Sequence, residues 1–379
     1  MIEIVRGSAG HRLLRAAPLV AIAVFAVVAP AVFGPADLHR VTRGLAIGVT
    51  LLALSYLLGQ VGLLSLAHGA LMGIGAVAAA HVLREWGWPY LAAPPAGAAL
   101  GLAVGAGIGI VALRVARLHL ALFTLAIAVS FPILLRRYGG GPLGTPVPER
   151  AHPTAPEWTG LAGHDEEVWQ FLLVAVGALV AYVAVRNLCR GAVGRAVTAA
   201  RDDPVAATAF GINVVATGVA AFAASGAVAG WAGGLVMLDT PFVIWTDYPF
   251  IFGIELFALV TIMGRGHLLA SLLAGLIYTL LPVWLADRGF VGDETLLYAA
   301  FLVIVVVVFR GRGLADALER LWHRFVRIVE RGDRTPDEPT DDADLDAVVM
   351  VEPVPPWVRP EAERLRPARA FRARSGGGR

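Results

Sequence analysis

The chain has 379 residues, of which 57% are hydrophobic and only 16% are charged, and its mean hydropathy is +0.70. Soluble domains average about 25% charged residues, so this composition excludes a soluble enzyme, a secreted disulfide scaffold and a nucleic-acid-binding protein. The 31 basic residues, all of them arginine, nearly balance 29 acidic ones. These properties indicate a polytopic protein of the lipid bilayer with an all-α fold.

Ten segments approach the roughly 20 mostly apolar residues that a transmembrane helix needs. The second and third are separated only by Gly59 and Gln60, and the eighth is short and contains Glu255. Short segments interrupted by glycine are typical of broken helices buried among other helices. The sequence therefore predicts a transmembrane helical bundle of about ten spans with short broken helices. The segments are 18–33, 44–58, 61–80, 93–113, 118–135, 168–185, 214–238, 250–263, 268–286 and 295–309.

The distribution of arginine predicts the orientation, because cytoplasmic loops are enriched in basic residues. With a cytoplasmic N-terminus, twelve arginines fall in cytoplasmic loops and seven in external loops, so we expect both termini to be cytoplasmic and the protein to lie in the inner (plasma) membrane. Residues 1–17 then form a cytoplasmic arm. The N-terminus also resembles a signal peptide, whose removal would leave nine spans and invert the charge bias of the loops.

The C-terminal region differs in composition from the rest of the chain. From about Gly332 it is acidic, then rich in proline and finally rich in arginine. Such a stretch buries too little apolar area to offset the entropy lost on ordering. We therefore divide the chain into the arm at 1–17, a membrane domain at 18–314 and a largely disordered cytoplasmic tail at 315–379.

Two segments carry glycines at intervals of four residues. This spacing places them on one helix face and lets helix backbones approach closely, so it predicts tight helix packing. The glycines are Gly97, Gly101, Gly105 and Gly109 in one segment and Gly226, Gly230 and Gly234 in the other.

Several kinds of chemistry are absent from the sequence. A P-loop needs a lysine to neutralise the nucleotide phosphates, and the chain has none. The single cysteine, Cys189, excludes a multi-cysteine metal site. We therefore predict no catalytic residue, no cofactor and no metal site.

The loop that includes residues 190–211 is the most informative stretch. Asp203 is suited to cap a short helix, Pro204 to occupy its first position and Gly211 to end it in the left-handed conformation. Such a helix, exposing Val205 and Phe210, fits a cytoplasmic surface on which a motor subunit docks. An ordinary connecting helix on the membrane surface is the alternative.

This loop resembles the cytoplasmic signature of branched-chain amino acid ABC transporter permeases. Residues 194–207 read GRAVTAARDDPVAA, and GINV follows at 211–214. Residues 59–76, GQVGLLSLAHGALMGIGA, resemble a second family motif, and further similarity extends over about 44–314. The length and the external Gly-Gly-Pro-Leu-Gly sequence resemble the M-type of the family's two permease kinds.

The resemblance implies a permease subunit that works with several partners. These are two cytoplasmic ATP-binding subunits, a homologous second permease subunit and an extracytoplasmic substrate-binding protein, for which the 136–167 loop is a candidate contact. In this family the signature loop is the region that the ATPase subunits contact. The residues of this chain that the resemblance assigns to coupling are Arg195, Arg201, Asp202, Asp203 and Gly211.

Four polar residues are candidates for lining the translocation pathway. Gln60 and Ser65 suit a zwitterionic substrate. His68 either lines the pathway or is a neutral, hydrogen-bonded structural residue, because a charge at the membrane centre is costly. Glu255 either takes part in gating or joins two helices by a hydrogen bond.

We therefore expect an ABC importer permease for branched-chain amino acids, which hydrolyses no ATP itself. Permeases for urea and short-chain amides share these motifs, so the substrate stays open, as does homo- or heterodimeric pairing. An ion-coupled secondary transporter is the alternative from a different class.

Overall fold

The computed structural model describes residues 2–5, 9–112, 117–138, 145–146, 153–157, 161, 166–240, 242–264, 266–288 and 326–329. The predicted span at 295–309 lies outside these residues, as do most of the 136–167 loop and nearly all of the predicted tail. The chain folds as a transmembrane helical bundle, as the composition predicts.

Eleven α-helices make up nearly all of the described part of the chain. A five-residue π-helical turn at Leu57–Val61 follows α2, and single 3-10 turns precede α4 and α10. The helices are α1 (Ala9–Val32), α2 (Pro35–Tyr56), α3 (His68–Glu85), α4 (Ala93–Ala112), α5 (Arg117–Tyr138), α6 (Glu166–Arg190), α7 (Ala192–Asp202), α8 (Pro204–Ala209), α9 (Val214–Val236), α10 (Phe250–Met263) and α11 (Leu268–Asp287).

Seven helical stretches of the described residues are long and apolar enough to cross a membrane. Each coincides with a span predicted from the sequence. Of the other three predicted spans, 18–33 corresponds to the shorter apolar stretch Ala17–Val32 of α1, 61–80 contains a break, and 295–309 is outside the described residues. The count of ten therefore stays a prediction.

Helix α2 begins nine residues earlier than the predicted span. The sequence placed Arg40 and Arg43 in an external loop, whereas both lie in the first turns of this helix. Arg40 pairs with Asp37 at 2.6 Å within the helix, and Pro35 occupies its first turn. Helix α2 therefore continues beyond the apolar residues, because charged side chains in its first turns pair with each other along the helix.

The long helices define two ends of the bundle. At one end, called here the α7–α8 end, the backbone N–H of Gly266 donates to Ser55 Oγ at 3.1 Å. At the opposite end, His39 Nδ1 and Asp239 Oδ1 are 2.8 Å apart. Helix α2 spans both contacts, and α9 runs antiparallel to it.

The break between α2 and α3 lies inside the bundle. After the π-helical turn, Gly62 adopts φ of +74°, and the chain is non-helical until α3 begins at His68. Non-helical backbone is tolerated at such depth only when its polar groups have partners. The Leu66 N–H donates to Thr124 Oγ1 at 3.1 Å, and Thr124 in turn donates to the Ala121 carbonyl. The predicted broken helix is therefore confirmed, with the Leu66 N–H satisfied from α5.

The two glycine ridges pack against each other. A Cβ added to Gly101 would collide with the Gly226 carbonyl oxygen, and one added to Gly97 would collide with the carbonyl oxygen of Gly230. By contrast, Gly107 faces open space on the same helix. The prediction of close packing is confirmed, and its partners are α4 and α9.

Two short strand pairs accompany the helices. The two-residue strands β2 (Thr145–Pro146) and β3 (Phe242–Val243) pair antiparallel. Strand β1 (Ile2–Val5) pairs in parallel with β4 (Val326–Val329), which lies within the predicted tail.

Candidate functional site

Helices α7 and α8 follow each other directly and are called here the α7–α8 unit. The residues that begin and end α8 are those that the sequence predicts. Asp203 caps α8, accepting hydrogen bonds from the N–H groups of Val205 and Ala206 at 3.0 Å each. Pro204 occupies the first turn, and Gly211 follows the helix with φ of +80°. Because the cap holds the backbone, α8 presents Val205 and Phe210 to solvent, 80% and 86% exposed.

Arg201 links this unit to the break after α2. Its Nη1 donates to the carbonyl oxygen of Gly59 at 2.5 Å, and its Nε donates to Asp202 Oδ1 at 2.8 Å. A Cβ on Gly62 would lie 2.9 Å from Arg201 Cγ, so a larger residue there would push the arginine away. Arg201 therefore connects a surface helix to the irregular backbone that leads into the bundle.

The remaining predicted coupling residues lie around this link. Arg195 is exposed on α7, and Asp202 is exposed beside Arg201. Gly211 is exposed at the C-terminus of α8. The five residues thus all lie on or next to α7 and α8, although only Arg201 reaches another part of the fold in the contacts described.

Three of the predicted pathway residues lie along the break. Gln60 is half-buried in the π-helical turn, whereas Ser65 and His68 are buried, 0% and 1% exposed. His68 Nδ1 is 3.2 Å from Ser65 Oγ, and its Nε2 is 2.8 Å from Ser225 Oγ on α9. Ser225 donates to the Ala53 carbonyl of α2 at 2.8 Å. His68 therefore joins three helices, which matches the structural interpretation of this residue.

Glu255 meets a partner on the neighbouring helix. Its Oε2 accepts a hydrogen bond from the Tyr278 hydroxyl of α11 at 2.8 Å. The Tyr278 ring also lies against Phe252, with centroids 5.8 Å apart. This contact joins α10 to α11, as one of the two sequence interpretations proposed.

A cavity of about 270 Å³ at the opposite end of the bundle was not predicted from the sequence. Arg43 of α2 and Asp247, which precedes α10, lie at its mouth with Arg43 Nη2 and Asp247 Oδ1 3.6 Å apart. The only sequence signal was that both residues flank spans on the predicted external side. Their separation of about 200 positions gives no indication that they meet.

No group of three or more histidine, cysteine, aspartate or glutamate side chains suited to hold a metal ion occurs among the residues that the structure describes.

Comparison with known proteins gives one family and two curated relatives. The sequence profile described as "Branched-chain amino acid transport system / permease component" matches residues 41–309. The high-affinity branched-chain amino acid transport system permease protein LivM of Escherichia coli K12 is 26% identical over 316 residues, which cover 78% of this chain and 74% of the relative. LivM of Salmonella typhimurium is 25% identical with the same coverage. No solved structure matches.

Proposed function

Because the chain belongs to the branched-chain amino acid ABC transporter permease family, we propose that it forms the translocation pathway for branched-chain amino acids and that partner subunits supply ATP hydrolysis. Both similar LivM proteins carry this substrate class in their names. The single observation that carries the coupling part of the proposal is the contact of Arg201 with the Gly59 carbonyl.

The α7–α8 unit is suited to contact an ATP-binding subunit. Phe210 and Val205 form an exposed apolar pair on a capped helix, and aromatic side chains such as Phe210 are enriched in the cores of protein–protein interfaces. We propose that one of the two ATP-binding subunits docks here and that Arg195, Asp202 and Asp203 provide the polar rim.

Movement of this unit has a direct route into the bundle. If a nucleotide-dependent shift of the partner displaces α7, Arg201 transmits the displacement to Gly59 and so to the irregular segment before α3. A partner changes the balance of two conformations only through contacts that differ between them. The Arg201 contact is such a candidate, because irregular backbone moves with less disruption than a continuous helix.

The arrangement of the loops supports cytoplasmic coupling. The break after α2, the α7–α8 unit and the turn before α11 meet at one end, and the sequence predicts each of them to be cytoplasmic. The parallel pairing of β1 with β4 supports an even number of crossings between them, and hence both termini on one side of the membrane. We propose that this side is the cytoplasm.

The other partners follow from the family. We propose that a second permease subunit pairs with this chain and that an extracytoplasmic substrate-binding protein delivers the amino acid to the end opposite α7–α8.

The test is uptake of labelled leucine and labelled urea by cells with and without the gene, each with ATP intact or depleted. We expect ATP-dependent leucine uptake that disappears with the gene. Loss of urea uptake alone would change the substrate to an amide. Uptake that survives ATP depletion and collapses with the ion gradient would instead identify an ion-coupled secondary transporter.

A further inference from the structure

The cavity at the end opposite α7–α8 has a charged mouth and an apolar floor. At the mouth, the side chains of Arg43 and Asp247 are 40% and 33% exposed. The floor consists of apolar side chains from four helices, each less than a tenth exposed: Ile47, Met72, Val236 and Phe252.

The two charges at the mouth are only loosely paired. Arg43 Nη2 and Asp247 Oδ1 are 3.6 Å apart, which is too long for a hydrogen bond. Three residues earlier on the same helix, Arg40 and Asp37 approach to 2.6 Å. The donors of Arg43 and the oxygens of Asp247 are therefore available to a ligand that carries both a negative and a positive group.

From this arrangement we propose that the cavity binds a free α-amino acid as its zwitterion. Arg43 binds the carboxylate, since a guanidinium matches a carboxylate with two parallel hydrogen bonds. Asp247 accepts hydrogen bonds from the ammonium group, and the apolar floor holds an aliphatic side chain. The assignment rests on the proposed function and adds to it a substrate site within this subunit.

The size and shape of the cavity select among small ligands. A volume of about 270 Å³ is just below the roughly 300–1,000 Å³ typical of small-molecule pockets, which suits a single small ligand such as an amino acid. Urea carries no charge that could pair with Arg43 or Asp247 at the mouth, and it has no apolar group that could pack against the floor. An aliphatic amino acid satisfies both.

Glu255 is connected to this cavity through Tyr278. Tyr278 lines the cavity, and its hydroxyl donates to Glu255 Oε2. Glu255 is therefore a positioning residue that orients the phenol through the same hydrogen bond that joins α10 to α11.

The first test changes each charge in the full chain, expressed in cells whose own copy is deleted. We expect Arg43→Gln and Asp247→Asn each to reduce leucine uptake by about tenfold or more, the effect of losing a charge-assisted hydrogen bond. The matched control is Arg40→Gln, on the same helix but outside the cavity, which should stay within about twofold. The amount of each variant in the membrane is measured in parallel.

A second variant separates binding from folding. Val236→Leu extends a floor residue into the cavity, so we expect the ratio of leucine uptake to alanine uptake to fall. A folding defect lowers both equally and leaves the ratio unchanged. The substrate-binding protein is the same in every strain, so a change in the ratio comes from this chain.

The results of these tests separate a failure of the proposed binding site from a failure of the proposed function. Leucine uptake by Arg43→Gln and Asp247→Asn at the level of Arg40→Gln would overturn the site and leave the proposed function standing. An unchanged leucine-to-alanine ratio in Val236→Leu would also overturn it. If cells with the natural chain import no amino acid, the proposed substrate fails and the zwitterion site fails with it.

Discussion

His68 connects three helices through hydrogen bonds whose directions follow from the network. The Ser225 hydroxyl has one hydrogen, which it donates to the Ala53 carbonyl, so it accepts from His68 Nε2–H. Nδ1 of the neutral ring then accepts from Ser65, and Ser65 accepts from the Ala67 N–H. Both ring nitrogens of His68 therefore have partners, which is what allows a histidine to be buried in the membrane.

Removing one hydroxyl tests this network. Ser225→Ala leaves the His68 N–H without an acceptor, and an unsatisfied buried donor costs about 1–3 kcal/mol. We expect a lower midpoint of thermal unfolding for the purified protein in detergent.

Thr261→Ala is the matched control for this change. Thr261 donates only to the Phe257 carbonyl of its own helix, so its loss should change the free energy of unfolding by no more than about 0.5 kcal/mol. Equal midpoints for the two variants would show that the His68 network adds no stability.

At the scale of elements, α8 depends on its cap more than a long helix does. It has six residues, and isolated helices shorter than about 12 residues are marginal in water. The Asp203 carboxylate satisfies two of its N-terminal N–H groups. The position of Val205 and Phe210 therefore depends on this single side chain.

We expect Asp203→Ala to impair uptake while leaving membrane insertion intact. Losing a cap costs about 0.5–2 kcal/mol, enough to unfold α8 for much of the time and to lower coupled uptake severalfold. Asp203→Asn retains a capping oxygen and should keep most of the activity. The double change of Asp202 and Asp203 to Ala should uncouple uptake further, since it also removes Asp202, one of the two acceptors of Arg201. Normal ATP-dependent uptake by the double variant would exclude this region from the mechanism.

The packing of α4 on α9 allows a second test at this scale. Gly101→Ala places a methyl group against the backbone of α9, and overpacking of this kind costs about 1–3 kcal/mol. Gly107→Ala faces open space and should stabilise the helix by up to about 1 kcal/mol. Thermal unfolding of the two variants in detergent should therefore shift in opposite directions. A shift in the same direction would contradict the assigned packing face.

At the scale of the whole molecule, α2 connects the two functional ends. Its 22 residues extend about 33 Å, with Arg43 in the N-terminal half and the π-helical turn that contacts Arg201 beyond the C-terminus. A ligand at Arg43 and a partner at α7–α8 thus both act on the same helix. This connection offers a route by which occupancy and docking influence each other.

The orientation of the bundle can be measured with single cysteines. After Cys189→Ala, Val193→Cys on α7 should react with a membrane-impermeant maleimide only in permeabilised cells. The natural Trp86 lies at the opposite end and is 59% exposed, so Trp86→Cys should react in intact cells. The reverse pattern would place α7–α8 outside the cell and refute cytoplasmic coupling.

Local signals account for what the sequence predicted well. Long apolar runs specify spanning helices because a helix satisfies all its backbone hydrogen bonds within one segment, as lipid requires. Asp203, Pro204 and Gly211 specify a short capped helix because each acts on neighbouring backbone groups. The glycine intervals identify a packing face for the same reason, but they do not identify the helix that packs on it.

The sequence by itself therefore determined the membrane location, most of the helices, the α7–α8 turn and the family. Only the tertiary structure decided that Arg201 reaches Gly59, that His68 is bound to Ser225, and that Arg43 and Asp247 share one cavity. These contacts join residues about 140 to 200 positions apart. Composition, spacing and periodicity report on neighbours along a helix, whereas contacts between distant segments depend on how the helices pack around their glycine faces and broken turns.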